Sequence, residues 1–218
     1  MGVRGAAPSK RMTRIHDRLL GDDRVAAHFS APAQLQALLD VEAALAEAEA
    51  AVGVVPASCV APIRAAARAE FYDQAAIAAE VAHVGIPAVP VVRHLTARVA
   101  SMDPEAARYV HWGATSQDIM DTGLVLQLRA AVPVVCDHIA RASEAAADLS
   151  RRYADTPMAG RTWLQQATPV AFGLKAAGWL DALARVRART VTALDDALVL
   201  QFGGATGTLA SLGSDGPA

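Results

Sequence analysis

Apolar residues recur every three or four positions along most of this 218-residue chain, which is the spacing of amphipathic helices. The clearest case runs from Pro32 to Val52, where one stripe carries Leu35, Leu38, Leu39, Leu45 and Ala46. Glu42 falls on that stripe, so it is either paired in a helix interface or held at its edge. Glu47 falls off the stripe and should be solvated. Gly53 and Pro56 supply the stop signals.

The same periodicity predicts further helices over 57–69, 73–83 and 88–102, followed by two longer ones over 116–153 and 168–202. Pro133 is a point at which the first long helix could kink. No stretch shows the alternation with a period of two that strands need. The predicted fold class is all-α, with a small N-terminal helical domain over 14–110 and the first long helices of a central bundle over 111–218. Residues 1–13 are predicted to be a disordered leader.

Composition narrows the classes of function. Hydrophobic residues make up 53 % of the chain, yet no apolar run approaches the roughly 18 residues that span a bilayer. Helices buried against partner subunits explain this excess better than a membrane protein does. A net charge of −2 and only 5 % aromatic residues give no case for nucleic-acid binding.

Cysteine and histidine usage indicates no metal site. Cys59 and Cys136 lack metal-ligand or CxxC spacing and are predicted to be buried, reduced thiols of a cytoplasmic protein. The N-terminus lacks the apolar segment of a secretory signal. His83 is read as structural, and the other histidines outside the two loops described next form no cluster: His16, His28, His94 and His138.

The first polar loop, residues 111–115, precedes a helix for which Thr115 and Ser116 are rival N-caps. Capping alone would account for both hydroxyls. His111 could donate to a carboxylate or exchange protons near neutral pH, or it could be a loop histidine satisfied by backbone. Asp118 and Asp121 fall in the first turns, where they favour the helix macrodipole, so a structural role is expected of both.

The second polar loop, residues 160–166, precedes a helix for which Thr168 is the predicted N-cap and Pro169 the first residue. Arg161, Thr162 and Gln165 offer the guanidinium, hydroxyl and amide groups that bind carboxylates. An intrachain ion pair is the alternative for Arg161. Lys175, two turns inside the predicted helix, either reaches the site as a cation or extends to water. Two helix N-termini of this kind predict an anion site.

Three blocks then carry a resemblance to a known family: TSQDIMDT from Thr115, GRTWLQQATPVAFGLKAAGW from Gly160, and LVLQFGGATGTLASLG from Leu198. In this order they resemble the fumarase/aspartase superfamily of helical lyases, and within it the bacterial 3-carboxy-cis,cis-muconate cycloisomerases. The resemblance extends upstream to LLDVEAALAEAEAAVGVVP from Leu38. It therefore covers nearly all of the chain after residue 14.

The resemblance implies lactonisation of 3-carboxy-cis,cis-muconate to 4-carboxymuconolactone in the protocatechuate (β-ketoadipate) branch of aromatic catabolism, without a metal or organic cofactor. It implies a role in catalysis or carboxylate binding for His111. The substrate-binding residues that it implies are Thr115, Ser116, Arg161, Thr162, Trp163, Gln165 and Lys175. Most fumarate-eliminating relatives have histidine where Trp163 stands, so this tryptophan argues against adenylosuccinate lyase chemistry.

Family chains also carry the rest of the bundle, a C-terminal domain and a mobile loop with the serine that acts as catalytic base or acid. Their active sites combine loops from three subunits of a homotetramer. The resemblance therefore implies a piece of a longer product, or a shortened or degenerate member, that is inactive by itself. Two alternatives stay open: another lyase of the superfamily, such as an adenylosuccinate lyase-like enzyme, and a non-catalytic helical interaction subunit.

Overall fold

The structure, a computed structural model, describes residues 21–216, so the predicted leader and His16 lie outside the described part. The helices, in chain order, are α1 (Asp23–Ala27), α2 (Ala31–Ala51), α3 (Ala57–Ala66), α4 (Gln74–Val84), α5 (Ala88–Ala100), α6 (Ser116–Arg152) and α7 (Phe172–Ala197). Short 3₁₀ helices lie at Ala69–Phe71, Ala106–Tyr109 and Ala210–Asp215. The prediction of an all-α fold is confirmed.

Local signals explain where most of these helices begin and end. Ser30 accepts a hydrogen bond from Ala33 N at the start of α2, with a proline in the first turn. The helix ends at Ala51, and Gly53 (φ 81°) takes the left-handed conformation that a glycine adopts without strain. Asp73 caps α4 through Ala75 N and Ala76 N, and Gly85 follows that helix with φ 79°.

The hydrophobic core lies among α2, α3, α5 and the first turn of α6. Leu39, Ile63 and Leu95 are fully buried there, and Ile119 of α6 joins the same cluster. Glu42 lies inside it, so the sequence prediction that placed this residue on the apolar stripe holds. Cys59 is a buried free thiol as predicted, whereas Cys136 is only partly buried.

Helices α6 and α7 form a long antiparallel hairpin. At one end Gly173 N donates to Tyr153 O (2.9 Å), so the C-terminus of α6 meets the N-terminus of α7. At the other end Thr122 Oγ1 lies 3.1 Å from Gln201 O, which brings the segment after α7 back to the start of α6. The 37 residues of α6 correspond to a length of about 55 Å. Helix α6 continues without a break through Pro133.

The prediction that the last long helix covers 168–202 was wrong at both ends. Helix α7 begins at Phe172 with Ala171 as its N-cap residue and ends at Ala197, so Thr168 and Pro169 lie outside it. Backbone pairing explains the difference, because strand β1 (Pro157–Met158) pairs antiparallel with β4 (Val170–Ala171) and keeps these residues extended. Lys175 consequently lies in the first turn of α7, not two turns inside it.

Short strands also correct the expectation that the chain contains none. Inside the β1–β4 pair, β2 (Arg161–Thr162) pairs antiparallel with β3 (Gln165–Gln166), so residues 157–171 form one projecting hairpin. The register changes by one residue between the two pairs. Gly160 lies just inside that change, and its O accepts from Ala167 N (2.8 Å). A β-carbon at Gly160 would lie 2.2 Å from Thr168 O, so the hairpin needs glycine there.

Helix α6 is long and apolar enough, by length and composition, to cross a membrane, and 22 % of its most apolar stretch is buried within the chain. It nevertheless has the contacts of a bundle helix, since it packs against both α2 and α7. Gln127 of α6 is also buried and donates to His28 O (2.7 Å). Leu124 and Leu149 are large apolar side chains of α6 that remain exposed.

Two glycines of α7 are expected to respond to alanine in opposite directions. A β-carbon at Gly173 would lie 2.6 Å from both Ala154 Cα and Ser150 O, whereas one at Gly178 meets nothing within 4 Å. Gly173→Ala should therefore lower the free energy of unfolding by about 1–3 kcal/mol through steric strain at the α6–α7 turn. Gly178→Ala should raise it by about 0.5–1 kcal/mol, because glycine is a poor helix former.

Urea unfolding followed by circular dichroism measures both changes, and Gly178→Ala is the matched control for altered helix propensity. Equal effects of the two substitutions would contradict the close approach of α7 to the end of α6.

Candidate functional site

The first polar loop leads directly into α6 through a capping box. Thr115 is the N-cap residue, with extended backbone, and Ser116 is the first helical residue, which settles which of the two caps the helix. Asp118 closes the box, because its Oδ2 accepts from Thr115 N at 2.9 Å. The Ser116 side chain is half-buried beside it.

Asp118 does more than cap α6, because the tail that follows α7 (residues 198–216) folds back onto it. Its Oδ1 accepts from Gly203 N (3.0 Å) and its Oδ2 from Gly204 N (3.0 Å), and the side chain is 1 % exposed. Thr122 reinforces the connection: its hydroxyl donates to Gln201 O and accepts from Gln201 N (3.2 Å). The structural role expected of Asp118 is therefore observed, and it joins the first block of the resemblance to the third.

His111 lies at the start of the first loop and is paired with a buried acid. Its Nδ1 lies 2.7 Å from Glu42 Oε1, and its backbone takes the uncommon value φ 61°. Of the two sequence alternatives for Glu42, pairing is therefore observed. Burial alone would lower the pKa of the His111 ring, but the hydrogen bond and charge of Glu42, with the charges of Asp118 and Glu49, outweigh it and raise that pKa above its usual value.

Glu49, two turns after Glu42 on the same face of α2, is the site residue that sequence reasoning missed. It is 4 % exposed, and neither carboxylate oxygen has a hydrogen-bond partner in the described part of the chain. Burial raises its pKa from 4.5 to about 7, with repulsion from Glu42 adding to the effect and His111 opposing it. The signal for it was available, since a spacing of seven residues returns to the same helix stripe.

A cavity of about 480 Å³ opens between α2, the start of α6 and the tail. Its walls are mostly apolar, and the ionisable side chains that line it are all acids: Asp40, Glu49, Asp118 and Asp215. A substrate with several carboxylates would be repelled by such a lining. This mostly apolar cavity is therefore not the predicted anion site.

The second polar loop forms the tip of the projecting hairpin, where residues 161–166 are exposed and Gly160 at its base is buried. Trp163 keeps 92 % of its surface accessible, and Arg161, Thr162 and Gln165 are also exposed. Trp163 (φ 47°) and Leu164 (φ 60°) form a two-residue turn in which both residues are left-handed, which is costly for residues other than glycine or asparagine. Such strain is typical of functional loops.

The alternative of an intrachain ion pair for Arg161 is not observed within residues 21–216, where no carboxylate lies within 4 Å of its guanidinium. Lys175 is exposed, with its ammonium 5.9 Å from the centre of the Trp179 ring. It stays near the hairpin end of α7 and does not enter the core. Both cations remain available to an anion that approaches the hairpin.

The structure does not bring the two loops together within one chain. The first loop lies at the N-terminus of α6 and the hairpin follows its C-terminus, so about 55 Å of helix separates them. The two helix N-termini therefore do not meet at one anion within a single chain. A site that uses both loops has to take them from different copies.

The other histidines of the described segment stay outside both loops. His94 Nε2 lies 2.7 Å from Glu80 Oε1, His138 pairs with Asp22, and His83 is exposed at the end of α4. Gln117, in the first turn of α6, donates to Asp121 at 2.6 Å. His94, His138 and Gln117 therefore have partners within the chain, and none of these contacts indicates a ligand.

Comparison with known proteins places this geometry in a family. The family model described as "Lyase" matches residues 13–218. A 3-carboxy-cis,cis-muconate cycloisomerase of Pseudomonas aeruginosa is 58 % identical over 185 residues, which cover 85 % of this chain and 40 % of that protein. A nitrosuccinate lyase of Streptomyces davaonensis is 46 % identical over 186 residues, which cover 85 % of this chain and 39 % of that protein.

Among solved structures, the 3-carboxy-cis,cis-muconate lactonizing enzyme from Pseudomonas putida superposes with a TM-score of 0.89 at 49 % identity. The match covers 93 % of this chain and 46 % of that one. The described fold is thus shared by the relatives, and the chain spans less than half the length of the curated relatives it matches.

Proposed function

Since the chain belongs to the fumarase/aspartase superfamily of lyases, we propose that it is part of an enzyme that converts 3-carboxy-cis,cis-muconate to 4-carboxymuconolactone in aromatic catabolism. In this reaction a substrate carboxylate attacks the substrate's own double bond, and a carbon–oxygen bond forms as the π electrons move towards another carboxylate. The resulting enolate then takes a proton at carbon. The step needs fixed donors around a dianionic intermediate and one acid, and no metal.

The observation that carries this proposal is the second polar loop, residues 160–166, which presents uncommitted donors at the tip of the hairpin. Arg161, Thr162 and Gln165 are exposed and face no competing carboxylate within the described segment. Trp163 stands between them as an apolar wall and supplies no titrating group. In the proposed site Thr115 and Ser116 add donors at the N-terminus of α6, Lys175 adds a charge, and His111 is the candidate proton donor.

The separation of the two loops supports a site formed between copies. We therefore propose a homo-oligomer, a tetramer by the family's precedent, in which the hairpin of one copy reaches the first loop of another. The uncovered apolar side chains of α7 suit such an assembly, among them Leu174, Trp179, Val186 and Val191. We further propose a cytoplasmic enzyme whose missing serine loop lies outside these 218 residues, so that this polypeptide alone is inactive.

The alternative enzymatic function is that of another lyase of the superfamily. The 46 % identity to a nitrosuccinate lyase supports this alternative. Trp163 favours the cycloisomerase, because a fumarate-releasing relative usually has a histidine in that place. The rival from another class is a non-catalytic helical subunit that associates through the same apolar faces of α7.

A chimera tests the proposed function. The chain is joined after Ala218 to the part of the Pseudomonas aeruginosa relative that lies beyond the matched region, and loss of the muconate absorbance reports lactonisation. We expect turnover of 3-carboxy-cis,cis-muconate by the chimera and background rates from the 218-residue chain. Arg161→Ala should lower kcat/KM by about 100-fold through the loss of a charged donor.

Arg64→Ala is the matched control, because Arg64 is an exposed arginine whose recorded contact is a surface ion pair with Glu47. It should leave kcat/KM within about twofold of the parent value. Release of nitrite from nitrosuccinate, or of fumarate from adenylosuccinate, without lactonisation would overturn the cycloisomerase assignment in favour of a lyase. A folded chimera that is inert towards all three substrates would favour the helical subunit.

A further inference from the structure

Two buried glutamates on one face of α2 have fewer hydrogen bonds than their burial demands. Glu42 is 1 % exposed and Glu49 is 4 % exposed. Oε2 of Glu42 and both oxygens of Glu49 have no partner in residues 21–216. Buried carboxylates are normally satisfied by donors, and those that are not tend to occur at functional sites. Pairing with His111 accounts for one oxygen of Glu42 and leaves the other three carboxylate oxygens of the two residues unexplained.

The His111 ring is the polar group that Glu42 does contact. The distance from Nδ1 to Glu42 Oε1 is 2.7 Å, which is that of a short, charge-assisted hydrogen bond. The His111 side chain is 19 % exposed, and no hydrogen bond within the described segment involves its Nε2. A carboxylate can only accept, so Nδ1 carries the shared proton and Nε2 is the nitrogen that can meet a ligand.

We propose that Glu42 is a positioning residue for His111: by accepting the Nδ1 proton it fixes the ring and presents Nε2 as the atom that exchanges a proton with the substrate. Glu49 acts on the same pair from two turns further along α2 and favours the protonated ring. This inference rests on the proposed function for its chemical purpose, because the enolate formed in lactonisation must be protonated at carbon.

The charges around the ring suit that step. Those that act on it come from α2 and α6 and are all acidic: Glu42, Glu49 and Asp118. They favour an imidazolium, whose Nε2–H can be given to the enolate carbon. In that transfer the enolate π electrons form the new C–H bond, and the electrons of the N–H bond remain on Nε2. The Nδ1–H stays with Glu42, so the ring ends neutral and correctly oriented for the next proton.

Nitrogen-15 NMR of the histidine-labelled 218-residue chain tests this positioning directly. At a pH where the rings are neutral, we expect His111 to be protonated at Nδ1 and unprotonated at Nε2. His94 is an internal control of opposite sense, because its Nε2 is the atom that contacts Glu80, and it should be protonated at Nε2. Neither expectation depends on turnover.

Three variants separate positioning from charge. Glu42→Ala should move the neutral His111 ring to the Nε2–H form, because the acceptor for Nδ1–H is gone. Glu42→Gln keeps an acceptor oxygen, so it should retain the Nδ1–H form and lower the pKa of His111. Glu49→Gln should likewise lower that pKa and leave the tautomer unchanged. His94 should not respond to any of them.

A His111 ring that is protonated at Nε2 in the parent chain, or that keeps Nδ1–H in a folded Glu42→Ala chain, would overturn the proposal. If Glu42→Ala does not fold, the parent spectrum and the Glu42→Gln titration decide the matter. Failure of the chimera to lactonise would refute the proposed function and leave these spectra unaffected. The two failures are therefore distinguishable.

Discussion

Replacing the buried Asp118 by alanine is expected to lower the free energy of unfolding by about 3–5 kcal/mol, because three partly buried backbone N–H groups lose their acceptor together. Two of these belong to Gly203 and Gly204, more than eighty residues further along the chain. The substitution should therefore release the tail from the start of α6 as well as remove a helix cap. Chemical unfolding measures the first effect, and amide hydrogen exchange at the two glycines measures the second.

Asp121→Ala is the matched control, because Asp121 is an acid in the same helix whose recorded contact is a side-chain hydrogen bond from Gln117. It should change the free energy of unfolding by less than about 0.5 kcal/mol. If Asp118→Ala were as mild as the control and the tail amides stayed protected, the carboxylate could not be what holds the tail.

Replacing Glu49 by glutamine is expected to stabilise the chain above pH 7 and to have little effect at pH 5. The pKa of this carboxyl group is raised from 4.5 to about 7, chiefly by burial and secondarily by repulsion from Glu42. The folded chain therefore holds a proton that the unfolded chain loses above pH 4.5. Stability falls as the pH rises from about 4.5 to 7, and the full cost of ionising the buried group is present above that range.

A shift from 4.5 to about 7 corresponds to roughly 3 kcal/mol, so Glu49→Gln should raise the free energy of unfolding at pH 8 by about 2–3 kcal/mol. Glu47→Gln is the control, because Glu47 lies on the same helix but is half-exposed and paired with Arg64. Urea unfolding at pH 5, 6, 7 and 8 gives the free energy of unfolding against pH for Glu49→Gln, for Glu47→Gln and for the parent chain. Parallel curves for Glu49→Gln and the parent chain would contradict the burial of an uncompensated acid.

The part of this fold that could be predicted from sequence is the part governed by local signals. The bounds of α2 follow from Ser30, Gly53 and the apolar stripe between them, and the start of α6 follows from Thr115. The start of α7 could not be predicted in this way. Thr168 and Pro169 form a good start signal, but the β1–β4 pairing, which depends on residues more than ten positions away, keeps them extended.

The candidate site was predicted as residue types but not as an arrangement. The sequence shows two polar loops that precede helices, and these loops contain His111 and Arg161. The distance between the two loops depends on α6 running unbroken through Pro133, and the sequence left that point open. The Asp118 contacts with the tail join residues far apart in the sequence, so no local sequence pattern predicts them.

We propose that the hairpin of one copy meets the first loop of another. Two single-cysteine chains address it, Ser116→Cys and Thr162→Cys, each also carrying Cys136→Ser because that native thiol is partly exposed while Cys59 is buried. The chains are mixed in equal amounts and treated with a short bismaleimide. Within one chain Ser116 begins α6 and Thr162 follows its C-terminal end, so a helix about 55 Å long lies between them and a short reagent cannot join them.

The measurement is the yield of crosslinked dimer in the mixture compared with each variant alone. We expect the mixture to give a dimer containing one chain of each kind. A chain carrying both cysteines should give dimers and larger species rather than an internal loop. A mixture that crosslinks no more than the separate variants, while the chains remain folded and associated, would contradict a site shared between copies.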